Sequence, residues 1–334
     1  MRDGLAPSLL TSVECLTMVG RNRPKKPKFI SETPEIDLLS DVLQTLRLRG
    51  RVFKQGSYSG AWALDATGAT GTVFHLIGRG QAWLHREDEP EPFVLRGGDL
   101  VMFPRAQWHQ LSGTPRRQPG RRSGATGGPF TTVLCARVDF EADGANPVLD
   151  ALPPVIVVRS EDGSTSAELH ALARLMLVEY EAGAAGRQGV LDRLVEAMFV
   201  LVLRHHMTRT PQLKGFLGAM KDEHIARALT ALHRRPGEGW RVQTLAREAG
   251  MSRTVFAERF TGLLGRTPMQ YVAAWRMHLA EEMLKVGRTS VAQVAERFGY
   301  QTETAFRRAF KRLRGVGPGG VRRSARHGSR AASS

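Results

Sequence analysis

The chain has 334 residues and a formal net charge of +16, with a sequence pI of about 10.8. That length favours two domains, and the excess of base points to a polyanionic partner, nucleic acid or membrane surface, against the plainer alternative of a solvated basic surface. Two cysteines, Cys15 and Cys135, without a CxxC pair exclude a disulfide framework and fit a reducing cytoplasm, and no apolar run of about 18 residues is present to span a membrane.

In chain order, residues 1–33 carry Arg21, Arg23, Lys25, Lys26 and Lys28 between prolines and predict a disordered arm. The loosely apolar start is interrupted by Glu14 and does not read as a signal peptide. Residues 36–48 predict a short amphipathic helix. Short apolar or alternating runs then follow at 52–54, 61–64, 73–77, 81–85, 92–95, 100–103, 108–111 and 131–138, punctuated by Gly, Pro and Asp. Strands at that spacing predict an all-β sandwich or barrel. Residues 114–129 form a loop on it, and Pro153-Pro154 marks its end. Two apolar helices are predicted at 166–181 and 190–206. A polar connector at 207–214 and a helix at 222–233 come next, and the tail after Gly320 frays.

From Val242 the pattern repeats itself. Val242, Leu245, Ala246 and Ala249 share the i, i+3, i+4, i+7 spacing of one buried helix face, and so do Val291, Val294, Ala295 and Phe298. Each run ends at a glycine, Gly250 or Gly299. Each is followed by a second helix, carrying Phe256, Phe260 and Leu263 or Phe306, Phe310 and Leu313. The offset between copies is 49 residues up to the glycine and 50 after it, so the second turn is one residue longer. Two copies of helix, glycine turn and helix predict a pair of helix-turn-helix units. Ser252 and Thr302 stand as N-caps, and Ser290 with Gln293 as a capping box.

The stretch Gly265-Arg266-Thr267-Pro268-Met269-Gln270-Tyr271, followed by Trp275-Arg276-Met277 and Ala280, resembles the linker helix of the AraC/XylS family of bacterial transcription regulators. Gly299-Tyr300, Phe306, Arg308-Ala309-Phe310-Lys311 and Gly315-Val316-Gly317-Pro318 resemble that family's most specific stretch, with Val321 where an aromatic usually precedes the final arginine. The resemblance implies two recognition helices on one rigid helix, entering successive major grooves of double-stranded DNA. On the helical wheel, Arg253, Thr254 and Ala257 face outward in the first unit and Glu303, Thr304 and Arg307 in the second, opposite the buried phenylalanines. Arg307 suits guanine O6/N7, and Glu303 suits a cytosine amino group or caps the helix start. Arg308, Lys311 and Arg312 read as phosphate contacts. Glu258 stands where the second copy has Arg308, so the first unit binds phosphate less well.

Gly98-Asp99-Leu100-Val101-Met102-Phe103-Pro104 with His109 resembles the second conserved motif of cupins, and the N-terminal half resembles the cupin-type sensor domain of one AraC subgroup. Metal-holding cupins carry an earlier HxH…E motif. Here that region has only His75, so neither a metal nor another cofactor is expected. His75 and His109, joined by His85 in one version, are expected in the barrel interior. Phe74, His75, Met102 and His109 are expected to line a ligand pocket. Cys135 reads as a buried small hydrophobe, with a Cys15–Cys135 redox switch as the alternative.

The fold expected is α+β: a cupin-like β-barrel with flanking helices, then an all-α double helix-turn-helix domain. The expected limits are 1–33 (arm), 34–152 (sensor), 153–215 (helical pair and linker), 216–323 (DNA-binding) and 324–334 (tail). The function expected is sequence-specific transcriptional regulation in the cytoplasm, answering a small molecule or redox signal. A homodimer assembled through the N-terminal half, using the barrel and the apolar helix at 190–206, and contact with RNA polymerase are also expected, with no catalytic residue and no membrane association. The rival reading is a cupin metalloenzyme fused to a DNA-binding domain.

Overall fold

The computed structural model describes residues 37–66, 71–119, 129–140, 146–161, 167–287 and 289–323. The expected arm, the expected tail and Cys15 lie outside the described residues, as does most of the 114–129 loop. Helix α1 (Leu38–Leu46) opens the described chain, capped by Asp37 accepting from the Ser40 amide at 3.0 Å. Eight strands follow: β1 (Leu48–Tyr58), β2 (Ala63–Asp65), β3 (Thr72–Arg79), β4 (Gln81–Arg86), β5 (Phe93–Arg96), β6 (Leu100–Phe103), β7 (His109–Ser112) and β8 (Thr131–Phe140). Then come α2 (Pro147–Asp150) and β9 (Ile156–Val158).

The strands form two antiparallel sheets, one in the order β1-β8-β3-β6-β9 and the other β2-β7-β4-β5. Among the described residues no strand pairing joins them, so the expected barrel is not closed and the architecture is a sandwich. Strand order depends on pairings between distant segments, which local alternation does not encode. Pro153-Pro154 does not end the β region either. Beyond it, β9 pairs antiparallel with β6, placing Val157 opposite Val101. Asp99, 2% exposed, accepts from Arg159 Nη1 and the Ser160 amide, both at 2.8 Å, and so holds the end of β9.

Successive side chains on a strand face opposite ways. On the larger sheet, Ile77, Val101, Phe103, Val133 and Cys135 meet Leu84, Leu95 and Leu111 of the smaller sheet and Trp62 just before β2. Phe74, Leu76, Leu100, Met102, Leu134 and Ala136 point the other way, onto α3 (Ala167–Ala182) and α4 (Arg187–Arg209). The apolar face of α4 that sequence reading offered to a second copy is therefore spent inside the chain, with Val195, Phe199, Val202 and Leu203 at 0–1% exposure.

The remaining helices are α5 (Gly215–Lys221), α6 (Glu223–Arg234), α7 (Val242–Glu248), α8 (Arg253–Leu264), α9 (Pro268–Val286), α10 (Val291–Arg297) and α11 (Glu303–Arg314). The sequence reading did not predict α5. The core on the outer sheet face continues without a break from α3 and α4 through Phe216 and Leu217 of α5 into α6, α7, α8 and the first half of α9. A separate core, built by Met277, Leu284, Val294, Phe298, Phe306 and Phe310, belongs to the end of α9 with α10 and α11. The first helix-turn-helix unit thus shares its interior with the N-terminal half, and the second has an interior of its own.

Candidate nucleic-acid interface

Each unit is built by the same local chemistry. Gly250 and Gly299 turn the chain at φ +66° and +75°, a region that favours glycine. Ser252 accepts from the Val255 amide at 3.4 Å and Thr302 from the Ala305 amide at 3.2 Å, starting α8 and α11. Ser290 and Gln293 close a capping box at the start of α10, and Thr267 and Gln270 close one at α9. Arg241, a poor cap by residue type, is supported instead by Thr244, whose hydroxyl accepts from the Arg241 amide at 2.9 Å. Val321 is 7% exposed within the second core, so it fills the final turn in place of the usual aromatic.

Phe256, Phe260, Phe306 and Phe310 are buried to within 1%. That fixes which faces of α8 and α11 look outward. Arg253 and Thr254 are exposed and Ala257 half-buried on α8. Thr304, Arg307, Arg308, Lys311 and Arg312 are exposed on α11, with Glu303 half-buried. Glu303 Oε1 accepts from Arg307 Nε at 2.6 Å and Nη2 at 2.5 Å. The guanidinium keeps three further N–H groups on its outer edge, the fork that matches guanine O6 and N7. Glu258 is exposed on α8, while Arg259 is tied to Asp222 at the N-cap of α6. The outward charge of the second unit is therefore far more positive than that of the first.

The two units are braced against each other twice. Helix α9 spans them. The loop before α7 also presses on the end of α10, where a Cβ on Gly237 would stand 2.3 Å from the Arg297 carbonyl oxygen, so no larger residue fits there. Arg276 of α9 ties this loop from behind, donating from Nε to the Pro236 carbonyl at 2.7 Å and also to that of Glu238. Arg276 carried the family resemblance, but its partners were not legible from sequence.

The four residues expected to line one sensor pocket do not meet. Phe74 and Met102 pack into the core facing the helices, whereas His75 and His109 lie between the sheets. Neighbours on a strand face opposite ways, so Phe74 and His75 cannot share a wall. His75 and His109 do come together, with their Nε2 atoms 2.7 Å apart. His85 is elsewhere, on Ser112 Oγ at 2.8 Å.

A single carbonyl orders this chain of hydrogen bonds. His109 Nδ1 donates to the Gln107 carbonyl at 2.9 Å, so its Nε2 accepts from His75 Nε2. His75 Nδ1 then accepts from the Cys135 thiol at 3.1 Å. Burial supports the same assignment: it lowers His75 well below the usual imidazole range, takes His109 to about 4 and pushes the Cys135 thiol up to about 12. The ring of Phe103 stacks on His109 at 3.7 Å. Both Nε2 lone-pair positions are thus occupied by the one shared proton, and a gap of 2.7 Å is too narrow for a metal bonded to each nitrogen at about 2.0–2.1 Å in tetrahedral geometry. Among the described residues no group of three or more His, Cys, Asp or Glu side chains is placed to hold a metal ion, and no helix is long and apolar enough to cross a membrane.

Residues 37–208 match the Cupin family model and residues 245–324 the Helix-turn-helix domain model. An AraC-like transcription regulator of Streptomyces lividans is 30% identical over 86% of this chain and 98% of its own length. The HTH-type transcriptional regulator AlkR of Acinetobacter baylyi is 27% identical over 83% of this chain and 96% of its own. Among solved structures, the DNA-binding domain of AdpA in complex with a target DNA is 33% identical over 32% of this chain and 95% of that one, at a TM-score of 0.30. With a cupin-like sandwich, two helix-turn-helix units and relatives aligned along nearly their whole length, the chain belongs to the AraC-like family of DNA-binding transcription regulators.

Proposed function

We propose that α8 and α11 enter successive major grooves on one face of double-stranded DNA, and that α11 supplies most of the sequence reading. The observation that carries this is the Glu303–Arg307 pair, which holds the outer edge of an arginine fork away from the buried Phe306–Phe310 stripe. Arg307 reads a guanine, and the second Glu303 oxygen stands ready for a cytosine amino group. Arg308, Lys311 and Arg312 take phosphates. Arg253, Thr254 and Ala257 form the weaker reading surface of the first unit, opposed by Glu258.

Binding titrations on specific and scrambled duplexes at several salt concentrations test the division of labour. Arg307→Ala should weaken the specific complex by about 1–3 kcal/mol and relax preference at one or two base pairs. Arg308→Ala should weaken both duplexes alike and lower the salt slope by about one ion. Equal losses on both duplexes for Arg307→Ala would mean that α11 sits differently in the groove.

The N-terminal half (34–152, with the helical pair and linker at 153–215) receives a small-molecule or redox signal and passes it to the 216–323 region through the shared core. It works without catalysis, in the cytoplasm, and the DNA-bound form contacts RNA polymerase. The enzyme reading is disfavoured by the saturated Cys135–His75–His109 chain, whose nitrogens are all engaged. The signal-receiving half also pairs two copies, through a surface other than the buried face of α4. Light scattering of the full chain should give twice the monomer mass at micromolar concentration. A strictly monomeric chain there would remove the dimer.

A further inference from the structure

Helix α3 carries apolar residues on two faces, and the fold buries one of them. The inner face holds Leu169, Ala173 and Met176, packed into the core with α4 and the larger sheet. Leu177 reaches down to β3, where a Cβ on Gly78 would meet its methyl group at 3.0 Å. The helix is thus fixed in place before it meets anything else. On the outer side Ala171, Leu175, Val178 and Ala182 are all exposed, Leu175 by 48% and Val178 by 61%. Steps of four, three and four residues lay them in one row along about 16 Å of helix. Single exposed leucines need no partner, but a row at that spacing is the seam of a two-stranded coil.

The charges beside the row narrow what covers it. Arg174 and Glu181, both exposed, flank it on one side, and among the described residues neither forms an ion pair inside the chain. A second α3 laid against the first and running the opposite way sets Leu175 against Val178 of the copy and Ala171 against Ala182. A two-fold axis makes each such contact occur twice. Arg174 of either copy then stands beside Glu181 of the other, so the patch is complementary to itself. A parallel arrangement offers Arg174 the copy's Glu179 instead. It also sets Glu168, the next seam position before Ala171, against its own counterpart. In the antiparallel arrangement Glu168 passes beyond the end of the facing helix, which stops at Ala182.

We infer that the outer face of α3 docks on the same face of a second copy of this chain, antiparallel, with Leu175 and Val178 at the centre and an Arg174–Glu181 pair on either side of it. This rests on the dimer proposed above and names its surface. The buried face of α4 takes no part. Each copy brings its own α8 and α11, so the pair suits DNA in which the two-groove site occurs twice.

Light scattering of the full chain at micromolar concentration tests the face. Leu175→Glu combined with Val178→Glu puts four like charges at the centre of the seam. That chain should run at the monomer mass with its thermal transition in place, because both side chains stand in solvent. Arg174→Glu and Glu181→Arg should each raise the dimer dissociation constant about tenfold, since either change turns two attractions into repulsions, and the two together should restore it. Rescue of Arg174→Glu by Glu179→Arg, and not by Glu181→Arg, overturns the antiparallel arrangement. A Leu175→Glu, Val178→Glu chain that stays dimeric overturns this face and leaves the dimer standing. An unaltered chain at the monomer mass removes the dimer itself, and this face with it.

Discussion

Phe310→Ala is expected to unfold the second helix-turn-helix unit while leaving the rest of the chain folded. Truncating a fully buried phenylalanine costs about 3–5 kcal/mol. Phe310 is 0% exposed in a core shared with Phe298, Phe306, Val294 and Leu284 and distinct from the one beneath the first unit. A core that small has little stability to spare. Hydrogen exchange should lose protection in α10 and α11 alone, and footprinting should shrink from two grooves to one. A two-groove footprint at undiminished affinity would show that the second unit draws its stability from elsewhere. The same truncation at Phe260 acts on the continuous core, so its damage should spread into the N-terminal half.

The second large effect is acid instability. Burial lowers His75, His109, His233 and His278 below the ordinary imidazole value of 6.5, to about 4 for His109 and His278 and about 3 for His233. His233 is locked in a stack, 4.1 Å from Trp275 and 5.9 Å from Phe216. All four are neutral in the folded chain and charge readily once it unfolds. Their contribution is complete above pH 6.5. It is lost as pH falls from there towards about 4, because the unfolded state binds more protons throughout that window. Each histidine held neutral in the fold costs up to about 1.4 kcal/mol per pH unit in that window, so the loss steepens with every ring that stays buried. Urea unfolding at pH 7.5, 6 and 5 measures this directly. Unfolding free energies that agree across the three would show that these rings titrate normally in the fold.

The C-terminal half was legible in the sequence because its information is local. A helix face announces itself within two turns, a positive-φ turn asks for glycine, and Ser252, Thr302 and the Ser290–Gln293 box mark helix starts by residue type alone. The sheets were legible as strands but not as an architecture. Nothing in residues 156–158 says that they cross Pro153-Pro154 to pair with β6, because the Asp99–Arg159 contact that secures them spans 60 residues. The expected pocket conflicts with strand alternation, since Phe74 and His75 are adjacent on β3 and must diverge. The destination of the α4 face was not encoded locally, because the same apolar stripe suits a sheet or a second copy. Helix α5 carries two glycines in seven residues and follows Lys214, which makes no side-chain cap, so neither propensity nor a helix-start residue declares it.

The contact of Gly237 with the Arg297 carbonyl makes the protein a ruler. With backbone pressed on backbone and Arg276 bolting the joint, the distance and angle between α8 and α11 are dimensions of the molecule and do not adjust to what it meets. One base pair inserted between two half-sites moves the second by about 3.4 Å and turns it by about 34° around the duplex. A jointed protein would follow that displacement at little cost. On the two-groove reading proposed above, this one must bend the DNA or release a half-site, so the length of the spacer is read as strictly as any base within it.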